Sequence, residues 1–368
     1  MKIVCSRQQL VEAVSNVQRA VSTKSSVPAL EGILLRTSGG EVTLCGYDLE
    51  LGITTSIESS VEESGSVVLS ARLFADIVRR LPGESVSLTI DEKNITTIKS
   101  GASEFSIVGI PAGEYPDMPA ISGDDSVTLP QHLLKGMIRQ TIFAVAESDA
   151  KPIHTGTLFE IGEGRIRLVS VDGYRLAMRE EKAGGDAELS FVVPGKTLSE
   201  VSKLLSDEEE DELELRVGRR HIQFRIGSYC VISRLLEGEF LDYRAAIPQS
   251  STTEMIANTR EFISSVERVS LLITDRLKSP LRCQFGDGEI HLSCSTAIGR
   301  ASDQFEAAIT GAPVEMGFNN RYLLDALRNS EGDEVKIQLN GPLSPMKVMP
   351  REGSDYLFLV LPVRLKTE

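Results

Sequence analysis

Residues capable of covalent or acid–base chemistry are few in this chain and poorly spaced for it. Four histidines occur, His132, His154, His221 and His291, and none stands in an HExxH or HxH pattern, so each reads as a structural or surface residue. Gly195-Lys196-Thr197 has the ending of a phosphate-cradling loop, but the glycine required five positions earlier is Ser190, and the signature fails. No G-x-S-x-G elbow and no G-x-G-x-x-G after a strand is found. The five cysteines, Cys5, Cys45, Cys230, Cys283 and Cys294, are odd in number and form no CxxC pair, which predicts buried reduced thiols rather than a disulfide framework or a zinc site. The pair Asp124-Asp125 lies in a linker-like stretch, and the acidic run from Asp207 to Glu212 reads as a solvated loop with no histidine nearby. No catalytic residue, cofactor site or metal site is assigned, and the expectation is a scaffold rather than an enzyme.

The elements that would position a binding surface are clearer. The length of 368 residues predicts two or three domains. Hydrophobic content of 41% and charged content of 25% are those of a globular protein. No run approaches the ~18 apolar residues of a membrane span, and Met1 to Gln8 has no signal-peptide core. A cytoplasmic protein with no membrane partner is expected, and such a protein leaves the sequon Asn94-Ile95-Thr96 unused.

Four blocks recur three times in the same order, about 120 residues apart. The first is an amphipathic helix: Arg7 to Ala20, Gln131 to Phe143, and Arg260 to Leu272, with apolar residues three and four apart, as in Leu10, Val14, Val17 and Val21. The second is a strand pair with Gly-rich turns, beginning at Leu30, His154 and Ser279. The third is a strand entering a helix, with Ser70, Pro194 and Asn319 at the entry where a capping residue is expected. The fourth is a run of strands, and the first two runs end in acidic-aromatic phrases at Gly113-Glu114-Tyr115-Pro116 and Gly238-Glu239-Phe240-Leu241-Asp242-Tyr243. The expected fold is α+β: three tandem copies of one unit, helices packed on antiparallel sheets, as domains 1–119, 128–245 and 253–368. Pro119 to Thr128 and Ala245 to Thr253 are the expected linkers.

Charge is partitioned between these elements. The six predicted helices (7–20, 71–80, 131–143, 196–205, 260–272 and 320–329) hold 13 basic and 6 acidic residues. They net +7 in a chain of net charge -14, which leaves -21 elsewhere. Basic helices on an acidic body suit a protein that accepts DNA on one surface and repels it on the rest.

The phrases Val171-Asp172-Gly173-Tyr174-Arg175-Leu176-Ala177, Gly238-Glu239-Phe240-Leu241-Asp242-Tyr243-Arg244 and Leu361-Pro362-Val363-Arg364-Leu365 resemble those of the bacterial DNA sliding clamps, the β subunits of DNA polymerase III. Tyr47-Asp48-Leu49-Glu50 and Pro111-Ala112-Gly113-Glu114-Tyr115-Pro116 fit the same family, and the resemblance covers essentially the whole chain. It implies a closed ring, a head-to-tail homodimer whose twelve helices line a hole. Helices spaced ~9 Å apart give a bore of roughly 35 Å, wide enough for a double-stranded DNA of about 20 Å held topologically and without sequence preference. The implied role is to tether the polymerase III alpha subunit, the clamp loader and other proteins that insert a short hydrophobic peptide, conferring processivity. The alternatives are a clamp paralogue with a specialised role and an enzyme on the same scaffold.

The resemblance also assigns residues. A peptide pocket is implied at His154, Val171, Gly173, Tyr174, Arg175, Leu176, Leu241, Asn319, Tyr322, Leu343, Met346, Leu359, Leu361, Pro362, Val363 and Arg364. Residues facing DNA are Lys24, Arg72, Arg79, Arg80, Lys135, Arg139, Ser148, Lys151, Lys196 and Lys203. Subunit contacts pair Arg72, Leu73 and Phe105 of one chain with Leu271, Leu272 and the segment from Ile298 to Asp303, including Arg300, of the next. Many clamps carry His where Tyr174 stands, Leu where His154 stands and Arg where Ala245 stands.

Overall fold

Apolar spacing along the chain is realised as helices that bury one stripe. The computed structural model describes residues 1–121, 126–148, 150–183, 188–274, 276–277 and 279–365. In the first copy, β1 (Lys2–Ser6) enters α1 (Arg7–Val17), which buries Leu10, Ala13, Val14 and Val17 and tightens into a 3₁₀ turn at Gln18–Ala20. Then come β2 (Gly32–Ser38), β3 (Glu41–Tyr47), β4 (Leu51–Glu63), β5 (Ser66–Ser70), α2 (Ala71–Arg80), β6 (Ser85–Ile90), β7 (Ile95–Ser100) and β8 (Ser103–Val108).

The second copy repeats that order with β9 (Ser126–Pro130), α3 (Gln131–Ile142), β10 (Gly156–Gly162), β11 (Arg165–Val171), β12 (Arg175–Lys182), β13 (Leu189–Pro194), α4 (Gly195–Leu204), β14 (Glu212–Val217), β15 (His221–Ile226) and β16 (Tyr229–Arg234). A short helix, α5 (Tyr243–Ala246), precedes the third copy. That copy contains β17 (Thr253–Asn258), α6 (Thr259–Val269), β18 (Leu281–Gly286), β19 (Glu289–Thr296), β20 (Gly299–Glu306), β21 (Ala308–Gly311), β22 (Val314–Phe318), α7 (Asn320–Arg328), β23 (Glu334–Leu339), β24 (Met346–Pro350) and β25 (Tyr356–Val360).

Two compact units form, and the middle copy contributes to both. The first comprises Met1–Leu133 and Lys196–Leu235, and its twelve-stranded sheet runs β8-β7-β6-β1-β4-β16-β15-β14-β9, with β2, β3 and β5 branching from β4. The second comprises Leu134–Gly195 and Leu236–Glu368. Its nine-stranded sheet runs β13-β10-β11-β12-β25-β24-β23-β17-β21, beside a four-stranded sheet β20-β19-β18-β22. Copies join by antiparallel pairing: Ile53 opposite Val231 between β4 and β16, and Leu176 opposite Leu359 between β12 and β25. The second unit's core gathers Phe262, Phe285, Phe318 and Phe358 under α6 and α7.

Several expectations shift at element ends. Asn319 caps α7, accepting from Arg321 N at 3.0 Å, but Ser70 stands at the α2 entry with no capping hydrogen bond, and Pro194 closes β13. The first linker is shorter than expected because β9 begins at Ser126, and the second loses Ala245 and Ala246 to α5. Asp124 and Asp125 lie outside the described residues. All five cysteines are free, and four are buried.

The opening glycine of the second block lets two paired strands of one sheet lie close. A Cβ on Gly156 would sit 2.5 Å from Val193 O, and one on Gly32, its counterpart in the first copy, 2.9 Å from Leu69 O. Gly156→Ala is expected to destabilise the second unit by about 1–3 kcal/mol, read as a lower thermal midpoint in calorimetry; an unchanged midpoint would show that the strands can part.

Candidate functional site

One turn is built twice. Asp172 follows β11, and its Oδ1 accepts from Tyr174 N at 2.8 Å and Arg175 N at 3.0 Å, with Gly173 at φ 92°. Asp48 follows β3 and does the same for Glu50 N at 3.0 Å and Leu51 N at 2.7 Å, with Leu49 at φ 76°. A left-handed leucine is unusual, since its Cβ crowds the following carbonyl.

In the second copy the turn sends neighbouring side chains opposite ways. Tyr174 is 62% exposed, whereas Arg175 is buried. Arg175 Nε donates to Asp172 Oδ2 at 2.9 Å, and its Nη1 donates to Asp325 on α7. The guanidinium lies 4.5 Å from the Tyr322 ring centroid and 5.6 Å from that of Phe143. Tyr174 stacks on Tyr322 with centroids 6.0 Å apart. Two carboxylates and an aromatic face thus hold a desolvated cation, which fixes Tyr322 and the turn together.

The other side of this groove comes from the β12–β25 pairing. Leu361 N donates to Tyr174 O at 2.9 Å and Val363 N to Gly317 O at 2.7 Å, which ties down the segment after β25 while Leu361 and Val363 stay exposed. Val171, Leu176 and Leu359 pack in one buried cluster with Tyr243, bordered by Ile153 and Phe240. His154, on a 3₁₀ turn at Pro152–Thr155, meets Phe240 edge-on at 5.6 Å. Burial, and then Lys151, lower the His154 pKa against the opposing pull of Asp172.

The remaining expected pocket residues are placed differently. Asn319 is occupied in capping α7. Met346 is fully buried in the core beneath α7 and presents no surface. Leu343 is exposed between β23 and β24, Leu241 is exposed before α5, and Pro362 and Arg364 lie half-buried and exposed in the last segment.

Nine of the ten positions expected to face DNA are exposed; Lys135 is half-buried. Several of the exposed ones pair with carboxylates of this chain. Lys196 Nζ meets Asp48 at 2.6 Å, Lys203 meets Glu200 at 2.8 Å, Arg139 meets Glu331 at 3.3 Å and Arg80 meets Asp76 at 3.7 Å. The pairs of Arg139 and Arg80, exposed on both sides, are weak and exchange readily for other anions, whereas Asp48 and Glu200 are largely buried beneath exposed lysines. The residues expected at a subunit contact form exposed apolar groups on edge elements. Leu73 and Phe105 are exposed on α2 and β8, and Val108 is 78% exposed at the end of β8. Leu271 and Ile298 are exposed beside β20, with Leu272 half-buried and Arg300 exposed.

Sequence reasoning missed Asp325, Phe143, Phe240 and Val108 as site residues. For Phe240 the signal was present, in the acidic-aromatic phrase itself. Asp325 lies 150 residues from the arginine it binds, and only folding brings them together.

A tandem α+β repeat whose preserved turn grips an aromatic-lined groove belongs to the class of clamp-type binding scaffolds. Signatures of the N-terminal, central and C-terminal domains of the DNA polymerase III beta subunit match residues 1–119, 128–242 and 244–364. The beta sliding clamp of Bacillus subtilis is 34% identical over 99% of this chain and 100% of its own length, and that of Staphylococcus epidermidis is 32% identical over 99% of both. Among solved structures, the B. subtilis sliding clamp superposes with TM-score 0.96 at 33% identity, covering 100% of both chains. A sliding clamp from Bartonella birtlesii bound to griselimycin gives TM-score 0.95 at 30% identity, covering 99% of this chain and 100% of that one. The chain belongs to the β sliding clamp family of DNA polymerase III, whose members are non-catalytic subunits that confer processivity.

Two outcomes follow from the groove's physics. Arg175→Ala strands Asp172 and Asp325 without their cation and is expected to cost about 3 kcal/mol, whereas Tyr174→Ala, at an exposed ring, costs under ~1 kcal/mol; denaturant titration compares them. The folded state disfavours protonated His154, so its contribution is present above the unfolded pKa of about 6.5 and is lost as pH falls below it. His154→Leu should therefore flatten part of the stability loss between pH 7 and pH 5, and a parallel pH profile in the variant would refute this.

Proposed function

We propose that two copies of this chain close head to tail into a ring around double-stranded DNA and present one peptide pocket per subunit to the polymerase III alpha subunit, the clamp loader and other partners. The proposed domains are 1–119, 128–245 and 253–368, and the proposed place of work is the cytoplasm. The observation that carries this reading is a pair of dissimilar sheet edges. β8 ends the twelve-stranded sheet with Phe105 and Val108 exposed, beside exposed Leu73. β20 ends the four-stranded sheet next to exposed Leu271 and Ile298. Exposed strand edges with apolar side chains invite pairing. Two different patches, each complementary to the other, make a heterologous contact that closes into a ring when the rotation allows.

The pocket is assigned to Tyr174, Tyr322, Arg175, His154, Leu176, Leu241, Leu359, Leu361, Pro362, Val363 and their neighbours. Its apolar floor and few polar anchors suit a short hydrophobic peptide. By analogy with the Bartonella clamp, griselimycin is proposed to bind there. The exposed cations Lys24, Arg72, Arg79, Arg80, Arg139, Lys151, Lys196 and Lys203, with Lys135 and Ser148, are proposed to meet phosphates in loose, sequence-independent contacts, which permit sliding.

Sedimentation should give a particle of twice 40.1 kDa. After loading, the protein should remain on nicked circular DNA and run off linear DNA; equal retention on both would sink the ring. Phe105→Arg should shift the particle toward a monomer and remove the retention on circles.

A further inference from the structure

One wall of the proposed pocket is carried by a stretch outside the regular elements. Leu236 N donates to Val192 O at 3.0 Å, and α5 begins at Tyr243; between them the stretch 237–242 is neither helix nor strand. This stretch carries Phe240, edge-on to His154, and exposed Leu241. Its far end is tied through side chains. Tyr243 Oη donates to Glu160 Oε2 at 2.5 Å, and Arg244 Nη2 donates to Oε1 at 3.1 Å and Oε2 at 2.9 Å. Arg167 Nη1 donates to Glu160 Oε2 and to Tyr243 Oη, each at 3.1 Å. The guanidinium of Arg244 lies 4.8 Å from the Tyr243 ring centroid.

The tie is anchored in the sheet. Glu160 on β10 stands opposite Arg167 on β11, which stands opposite Glu180 on β12, so charge alternates across three neighbouring strands. Glu180 pairs with Arg167 and also with Arg165. Burial alone would raise the Glu160 carboxyl pKa, but hydrogen bonds from Tyr243 and Arg167 and the charge of Arg244 outweigh it and hold the group ionised. Burial, and then Glu160, push the Tyr243 phenol up to about 12, so it keeps the proton it donates. The Tyr243 ring itself lies in the cluster with Val171, Leu176 and Leu359, the floor of the groove. Glu160 is therefore coupled to the pocket although it is not one of its walls.

We propose that Glu160 is a positioning residue for peptide recognition: through Tyr243 and Arg244 it fixes the 237–242 stretch, so that Phe240 and Leu241 stand as a preformed wall. A wall ordered in advance removes an entropic cost that each ligand would otherwise bear on binding. The inference rests on the pocket reading above.

Calorimetric titration of the full-length protein with griselimycin tests it. Glu160→Gln and Tyr243→Phe are each expected to raise Kd about tenfold and to speed hydrogen exchange at amides 237–242 selectively. Leu241→Ala should cost much less affinity in the Glu160→Gln background than alone, because the wall is already loosened. Tyr322→Ala isolates the pocket reading: unchanged griselimycin affinity in that variant refutes the pocket and the positioning role together. If Tyr322→Ala loses binding while Glu160→Gln and Tyr243→Phe bind within twofold of the parent, the positioning role alone is overturned. Additive losses for Glu160→Gln and Leu241→Ala overturn it equally.

Discussion

The antiparallel pairing of β12 with β25 is the constraint on which the groove depends. It sets Arg175 opposite Val360 and Leu176 opposite Leu359, and so fixes which residues of the last segment can reach the turn at Asp172. Because side chains alternate along a strand, a slip of one residue would turn Leu176 out of the floor and carry Arg175 away from Asp325. Arg175 in turn protects the register, since its guanidinium is satisfied only where both carboxylates and the Tyr322 face converge. Backbone pairing and one buried cation thus specify each other.

The same economy applies to the three copies. Each supplies two helices and eight or nine strands in a closely similar order, yet two of the three sheets cross the copy boundaries. β4 of the first copy pairs with β16 of the second, and β12 of the second with β25 of the third. Edge strands that would be exposed in an isolated copy are covered by a neighbour, and β8 and β20 remain as sheet ends with apolar side chains at or beside them.

Much of this was legible in the sequence because amphipathic periodicity is a strong signal. The helix expected at 7–20 forms as α1 plus a 3₁₀ turn, and that expected at 260–272 as α6 plus another. The four-residue α5 has too few positions to show a period. Ser70 is of a capping type and occupies the right place, but its hydroxyl makes no cap, so residue type alone misled. For the groove, the phrase from Val171 to Ala177 spans the turn between β11 and β12, whereas Leu361 to Leu365 follows the end of β25 and is not itself a strand. Asp325 and Glu160 were invisible because their partners are distant in sequence, and ordinary acidic residues on a helix or strand carry no mark of the cation they will meet. Met346 shows the reverse limit: the family resemblance implied it for the pocket, yet its side chain turns into the core.

The turn at Leu49 separates a backbone path from the residue suited to it. In the second copy a glycine occupies the left-handed position, where the path costs little. In the first copy a leucine occupies it, while Asp48 accepts from the amides of Glu50 and Leu51 and its second oxygen is engaged by Lys196. The strain at Leu49 is thus borne by the hydrogen bonds around it, which hold a residue in a path it would not choose alone.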